Sequence, residues 1–205
     1  MSATAPPYPL TFSVDYPDRE LNRVTTGFRI ILAIPLLLLL ALFGRPSFGA
    51  HPILGPWLLL FLPVLALLVL RHKYPRWWFD FNVELVRLTM RIESYLFLLR
   101  DEYPSVDDEQ AVHVEIVYPD TRRELNRWLP LVKWLLAIPH FIVLIFLDIA
   151  AVVVAVIAWF AILFTGRYPR GMFDFVVGVF RWNLRVTAYA FLLVTDRYPP
   201  FSLSP

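Results

Sequence analysis

The sequence contains no cysteine, which excludes disulfide bonds, thiol nucleophiles and thiolate metal sites. Charged residues are also scarce, at 18% of 205 residues, against about a quarter in an average soluble domain. The patterns GxSxG, HExxH, GxGxxG and the phosphate-binding P-loop do not occur, so hydrolase, zinc-protease and nucleotide-binding chemistry lack a motif. We therefore expect no catalytic residue, no metal and no cofactor. The net charge of +2 does not indicate a nucleic-acid partner.

Apolar residues make up 58% of the chain and are concentrated in long uncharged blocks. The runs Pro52–Leu70 and Ile149–Gly166 each approach the roughly 20 residues that cross a hydrocarbon core. The first segment of the chain is rich in proline and acidic residues and lacks the apolar core of a signal peptide. The composition therefore predicts an integral membrane protein that its own apolar helices insert.

Motifs of the first half return in the same order in the second half, which indicates an internal duplication. The matching segments are Tyr16–Arg23 with Tyr118–Arg127, Leu32–Pro35 with Leu136–Pro139, Tyr74–Phe81 with Tyr168–Phe175, and Tyr95–Leu99 with Tyr189–Leu193. These paired motifs resemble the bacterial membrane family called domain of unknown function 4389, in two tandem copies. The resemblance implies a small multi-helix membrane protein and no known reaction, so it assigns no functional residue.

The predicted fold is an all-α membrane protein of two parallel tandem repeats, residues 1–105 and 106–205. Each repeat is a short strand, a transmembrane helical hairpin and an interfacial amphipathic helix. The predicted helices cover residues 26–43, 55–71 and 76–99 in the first repeat, and 128–147, 149–165 and 171–194 in the second. The strands follow from alternation of period two over 10–16 and 112–118, and we expect them to pair. The second hairpin requires a reversal near Asp148, because about 36 helical residues would extend ~54 Å.

The placement of positive charge predicts the topology. Of the 19 Lys and Arg residues only Arg45 lies in a predicted hairpin turn. Both termini should therefore face the cytoplasm in a multi-pass protein of the bacterial inner membrane. Arg29 and Lys133 leave hydrophobic spans of only about 15 residues, which predicts either snorkelling side chains or re-entrant hairpins that do not cross. Pro35 and Pro139 predict kinks, either packing bends or gating hinges.

The third helix of each repeat carries the charged residues. Their four-residue and three-residue spacings place them on one narrow stripe of an otherwise apolar helix, which predicts that the helix lies at the membrane interface. The stripes consist of Asp80, Glu84, Arg87 and Arg91 in the first repeat and Asp174, Gly178, Arg181 and Arg185 in the second. Because Arg181 and Arg185 repel one another, four outcomes are open: solvated charges, ion pairs with the first repeat, binding of a lipid phosphate, or a transport path.

These patterns lead to two main hypotheses of function. The first is a non-enzymatic accessory, scaffold or lipid-binding protein at the inner leaflet, with anionic headgroups, a larger membrane complex or a second copy as partner. The alternative is a small oligomeric transporter or channel, suggested by the duplication, the prolines and the membrane-level polar residues Arg29, Lys133 and His140. A third hypothesis is a lipid-modifying enzyme that uses Asp80 and Asp174.

Overall fold

A computed structural model describes residues 8–42, 57–105 and 108–204. The described elements are strands β1 (Leu10–Val14) and β2 (Val112–Ile116), and helices α1 (Arg23–Leu32), α2 (Ile34–Leu42), α3 (Trp57–Arg71), α4 (Arg76–Leu96), α5 (Pro130–Leu136), α6 (Ile138–Thr165) and α7 (Arg170–Ala190). The predicted turn-rich loop of the first hairpin, with Arg45, lies outside the described residues.

The two strands form one antiparallel sheet, which confirms the predicted alternation and pairing. Phe12 lies opposite Val114 at the centre of the register. Leu10, Phe12 and Val14 are buried on one face, and the residues between them are exposed on the other. A two-stranded sheet is marginal in water by itself. This sheet is stabilised because its apolar face packs against helices.

Helices α4 and α7 lie beneath the sheet and form the middle of the molecule. Helix α4 packs on β2 and α7 packs on β1. The ring of Phe180 on α7 lies 4.8 Å from that of Phe97 and 6.5 Å from that of Phe12, so one aromatic contact joins the strand to both helical regions. The two halves of the chain therefore share one hydrophobic core rather than folding separately.

Helix α6 forms an outer layer on the far side of α7 from the sheet. Its buried residues are His140, Leu144, Ala151, Ala158 and Ile162, and their spacings of four and seven define a single stripe. Helix α7 runs back along this stripe. Tyr189 and Ala190 pack near Ala137 at one end, and Phe173 packs on Tyr168 at the other. One flank of α6 also contacts α1, where Trp159 Nε1 donates to the carbonyl of Thr26, and the side opposite the buried stripe is exposed.

Each of the matched prolines follows a one-residue break between two helices. Helix α1 ends at Leu32 and α2 begins at Ile34, just before Pro35. Helix α5 likewise ends at Leu136 and α6 begins at Ile138, just before Pro139. Proline is well tolerated in the first turn of a helix, where its missing N–H would have no partner. The breaks at these positions are the structural result of both prolines.

The predicted fold class is wrong. The described chain contains a sheet, and it lacks the two-repeat hairpin architecture. Helix α6 continues for 28 residues through Asp148, where a reversal was predicted. The carboxylate of Asp148 accepts a hydrogen bond of 2.7 Å from Asn183 Nδ2, so this polar residue does not require a turn at the membrane surface. Among the described helices α6 alone is long and apolar enough to cross a membrane.

The predicted interfacial position of the third helices is also not observed. Most apolar residues of α7, including Val176, Val179, Phe180 and Leu184, are buried in protein. Helix α4 buries Val83, Val86 and Met90 in the same core. The sheet covers the apolar faces of both helices, α6 also covers α7, and Ala33 and Leu36 pack against α4. Sequence periodicity does not distinguish a protein core from lipid.

Candidate functional site

The charged stripe of α4 is largely paired on its own helix. Glu84 Oε1 lies 2.5 Å from Arg87 Nη1, as the three-residue spacing predicts, and Asp80 lies 3.9 Å from Arg76. Arg87 Nε also donates to the carbonyl of Val114 at 3.1 Å, on the outer edge of β2. Arg91 donates to a backbone carbonyl at Ser105. These contacts fix the stripe against the sheet and the segment that follows α4.

The charged stripe of α7 is covered by the C-terminal segment, residues 197–204, here called the tail. Arg181 Nη1 donates to the carbonyl of Leu203 at 2.9 Å, and Arg185 donates to those of Ser202 and Ser204 at 3.3 and 2.9 Å. Arg181 Nε also donates to Phe12 at 3.0 Å, on the edge of β1. Among the described residues no carboxylate forms an ion pair with either arginine.

Gly178 is required for the tail to approach α7. A Cβ atom at this position would lie 2.9 Å from Leu203 Cβ and 3.1 Å from its carbonyl oxygen. Any side chain here would therefore displace the tail from the arginines. This explains why glycine occupies the stripe position at which α4 has Glu84: the tail, rather than a carboxylate, contacts the arginines of α7.

The paired arginines lie in an unfavourable electrostatic environment. Burial lowers the pKa of Arg185, the neighbouring Arg181 lowers it further, and Tyr8 raises it. Burial also lowers the pKa of Arg181, and Asp174 raises it. The hydroxyl of Tyr8 donates to the carbonyl of Arg185, and burial raises the pKa of this phenol. The backbone carbonyls of the tail supply partial negative charge in place of a carboxylate.

Arg29, predicted to reach toward headgroups, is instead buried in protein. Its guanidinium is 2% exposed and forms an ion pair with Asp101. Nη1 donates to the carbonyls of Tyr95 and Arg100 at 2.9 and 3.0 Å, and the group lies 4.6 Å from the centre of the Tyr95 ring. The second oxygen of Asp101 accepts from the backbone N–H of Asn22 at 2.7 Å. Arg29 in the last turn of α1, and Asp101, which also contacts the start of that helix, thus join α1 to the end of α4.

Lys133 has an equivalent environment in the second half. Its ammonium is fully buried, 2.7 Å from both Asp196 Oδ1 and the carbonyl of Thr195. It lies 5.2 Å from the Tyr189 ring, and Asp196 Oδ2 accepts from the backbone N–H of Asn126 at 2.5 Å. Each cation therefore links an apolar helix to the segment after α4 or α7. Neither side chain is exposed at the surface of the molecule.

Asp101 and Asp196 are the important residues that the sequence analysis missed. A signal for them was present: the pattern Asp-x-Tyr-Pro occurs at 101–104 and again at 196–199. In both halves the aspartate stands two residues before the repeated Tyr-Pro. A buried cation requires a counter-charge, so a matched acid accompanies each of Arg29 and Lys133.

His140 is buried among aromatic side chains at the start of α6. Its Nδ1 accepts a hydrogen bond of 3.0 Å from Trp182 Nε1, and its ring stacks on Phe201 at 4.0 Å between centroids. The Tyr198 ring lies 4.8 Å away, and its hydroxyl donates to the carbonyl of Leu136. His140 thus attaches the tail to the break between α5 and α6.

A continuous apolar surface lies on the outer side of α6, opposite its buried stripe. It is formed by exposed side chains at helical spacing, here called the apolar surface: Ile142, Phe146, Ile149, Val153, Phe160 and Phe164. Only 17% of the most apolar part of α6 is buried in the molecule. Phe28 and Ile31 of α1 and Trp134 of α5 are also exposed. Apolar exposure of this extent marks an interaction site.

The described side chains offer no metal-binding set, since no three His, Asp or Glu residues come together there. Comparison with known proteins gives one family match. Residues 128–202 match the family model of a domain of unknown function, DUF4389. The match includes Lys133, His140, α6, α7 and most of the tail. DUF4389 is matched once, so the comparison confirms the resemblance for this segment and not for two tandem copies. No curated protein and no solved structure matches the chain.

Proposed function

We propose that this protein is a non-enzymatic accessory or scaffold protein that binds the lipid of an anionic inner leaflet. The apolar surface of α6 is the observation that carries the proposal. If α6 were the core helix of a soluble protein it would be mostly buried, whereas 17% of its apolar stretch is covered. Burying one such side chain contributes about 1.5–3 kcal/mol, so six provide substantial affinity for acyl chains.

Exposed arginines near the ends of the apolar helices support a preference for anionic lipid. Arg23 begins α1, Arg71 ends α3, Arg127 precedes α5 and Arg167 follows α6, and all are exposed. Attraction to an anionic surface contributes about 1 kcal/mol per basic residue near the membrane. Since cytoplasmic leaflets are anionic, and the matched motifs resemble a bacterial family, the bacterial cytoplasmic membrane is the expected location.

The proposal is tested by flotation of the purified full chain, after detergent removal, with phosphatidylcholine vesicles that contain or lack phosphatidylglycerol. We expect the protein to float with both and to resist release by salt, with stronger retention on the anionic vesicles. Arg71→Gln/Arg167→Gln should reduce only the anionic preference, and Arg71→Lys/Arg167→Lys should preserve it. A folded chain that stays in the aqueous fraction with both vesicle types would contradict the proposal.

A further inference from the structure

The layers of the fold constrain how α6 can meet a bilayer. Strand β1 runs along α7, since Tyr16 donates to the carbonyl of Tyr168 at one end and Tyr8 to that of Arg185 at the other. Helix α7 in turn runs along α6. The order across the molecule is therefore sheet, α7, α6 and apolar surface, with the strands and both helices side by side along their lengths.

The outer face of the sheet is polar and exposed to solvent. His113 and Asp15 form a pair at 3.1 Å with 53% and 62% of their side chains exposed, and Glu115 lies on the same face. This face is on the opposite side of the molecule from the apolar surface. The molecule thus has one side suited to water and one suited to hydrocarbon.

An α6 helix that crossed the bilayer upright would carry the sheet into the hydrocarbon. On α7, Arg181 contacts Phe12 of β1, and Asn183, two residues further on, contacts Asp148 of α6. Asp148 lies about 15 Å along α6 from Ile138, so the middle of the sheet lies at about this level of the helix. That is close to mid-depth in a core about 30 Å thick. The exposed pair His113–Asp15 would then lie at membrane level, where ionisable groups are costly.

The charges at the two ends of α6 favour the same conclusion. A crossing helix usually has its Lys and Arg excess on one side of the membrane. Here Arg127 precedes α5 and Arg167 follows α6, and both are exposed. Both ends can reach the phosphates of the same anionic leaflet only when the helix lies parallel to that leaflet, as interfacial helices do.

We infer that α6 lies in the plane of a single leaflet, with the apolar surface among the acyl chains and the sheet in water. The inference rests on the proposed membrane binding and adds its geometry. In this arrangement the polar face of the sheet and both ends of α6 lie on the same side of the membrane.

The absence of cysteine permits a test with introduced thiols. The full-length variant Arg122→Cys/Arg167→Cys is reconstituted in sealed vesicles, treated with a membrane-impermeant maleimide, and its adducts are counted by intact mass. Both sites are exposed and lie beyond opposite ends of α5–α6. If α6 lies in plane, each molecule carries two adducts or none, whatever its orientation. If α6 crosses, each molecule carries one.

Two controls make the outcomes distinct. Labelling in detergent should give two adducts on every molecule. Glu109→Cys/Arg122→Cys, two exposed sites with only β2 between them, should give two or none in vesicles. A predominance of single adducts on the Arg122/Arg167 variant overturns the in-plane inference while membrane binding stands. Failure of the unlabelled protein to float with the vesicles overturns the proposed function, and the in-plane inference with it.

Discussion

Replacing Asp196 by asparagine isolates the contribution of the buried ion pair at Lys133. The change keeps the size of the side chain and removes the charge that lies 2.7 Å from Lys133 Nζ. The ammonium, which is 0% exposed, would retain the carbonyl of Thr195 and no counter-charge. Breaking a buried pair in this way costs about 3–5 kcal/mol, and because Asp196 is 20% exposed we expect the lower part of that range.

The expected loss is large enough to measure. For a chain of this size 1 kcal/mol corresponds to roughly 2–4 °C in Tm, so Asp196→Asn should lower Tm by about 6–12 °C. Thermal unfolding of the detergent-solubilised protein, followed by circular dichroism, measures this shift. Asp18→Asn, at an exposed carboxylate, is the matched control and should leave Tm unchanged.

The variant should also acquire a characteristic pH dependence. Burial lowers the pKa of Lys133, and Asp196 raises it. Without Asp196 the pKa falls further, so the unfolded chain binds this proton more strongly than the folded chain. Stability then rises with pH up to the ordinary lysine pKa of about 10.4, and the deficit of Asp196→Asn should be smaller at pH 9.5 than at pH 7. Lys133→Met/Asp196→Asn, which removes both charges, should recover most of the loss. An Asp196→Asn Tm within about 1 °C of the parent would refute the reasoning.

Two further predictions concern single contacts. Gly178→Ala should displace the tail, because the new methyl group would lie 2.9 Å from Leu203 Cβ, and limited trypsin digestion should remove the tail faster. Gly171→Ala is the control, because a Cβ atom there meets nothing within 4 Å. Equal digestion rates for the two variants would argue against the conclusion that Gly178 is needed for the tail to approach α7. Tyr118→Phe removes the 2.5 Å hydrogen bond from the Tyr118 hydroxyl to the carbonyl of Tyr74. This loss should reduce the free energy of unfolding by about 1 kcal/mol and lower Tm in the same unfolding assay. An unchanged Tm would count against the contribution of this contact.

Local patterns in the sequence were informative where the chain makes local structure. The alternation around Phe12 and Val114 predicted both strands and their pairing. The periodicity of the third helices predicted α4 and α7 to within a few residues at each end. In these segments side-chain period and backbone geometry are directly linked, so one determines the other.

The tertiary contacts could not be obtained in the same way. Asp148 predicted a turn because it is the one charged residue in a long apolar run, yet Asn183, distant in sequence, satisfies it and the helix continues. Arg29 and Lys133 suggested contact with headgroups because their acidic partners lie far along the chain. The apolar faces of α4 and α7 suggested lipid because composition does not show that a sheet covers them.

The most direct test of lipid contact is the depth of the apolar surface in the bilayer. A fluorescent label is placed in turn at Ile142→Cys, Val153→Cys and Phe164→Cys, positions that are 54%, 52% and 79% exposed, and is quenched by lipids brominated at known depths. We predict quenching at one common shallow depth for all three, and none for a label at Thr11→Cys on the sheet. A deep Val153 between two shallow ends would contradict the in-plane geometry, and three labels that lipid does not quench would contradict membrane binding by α6.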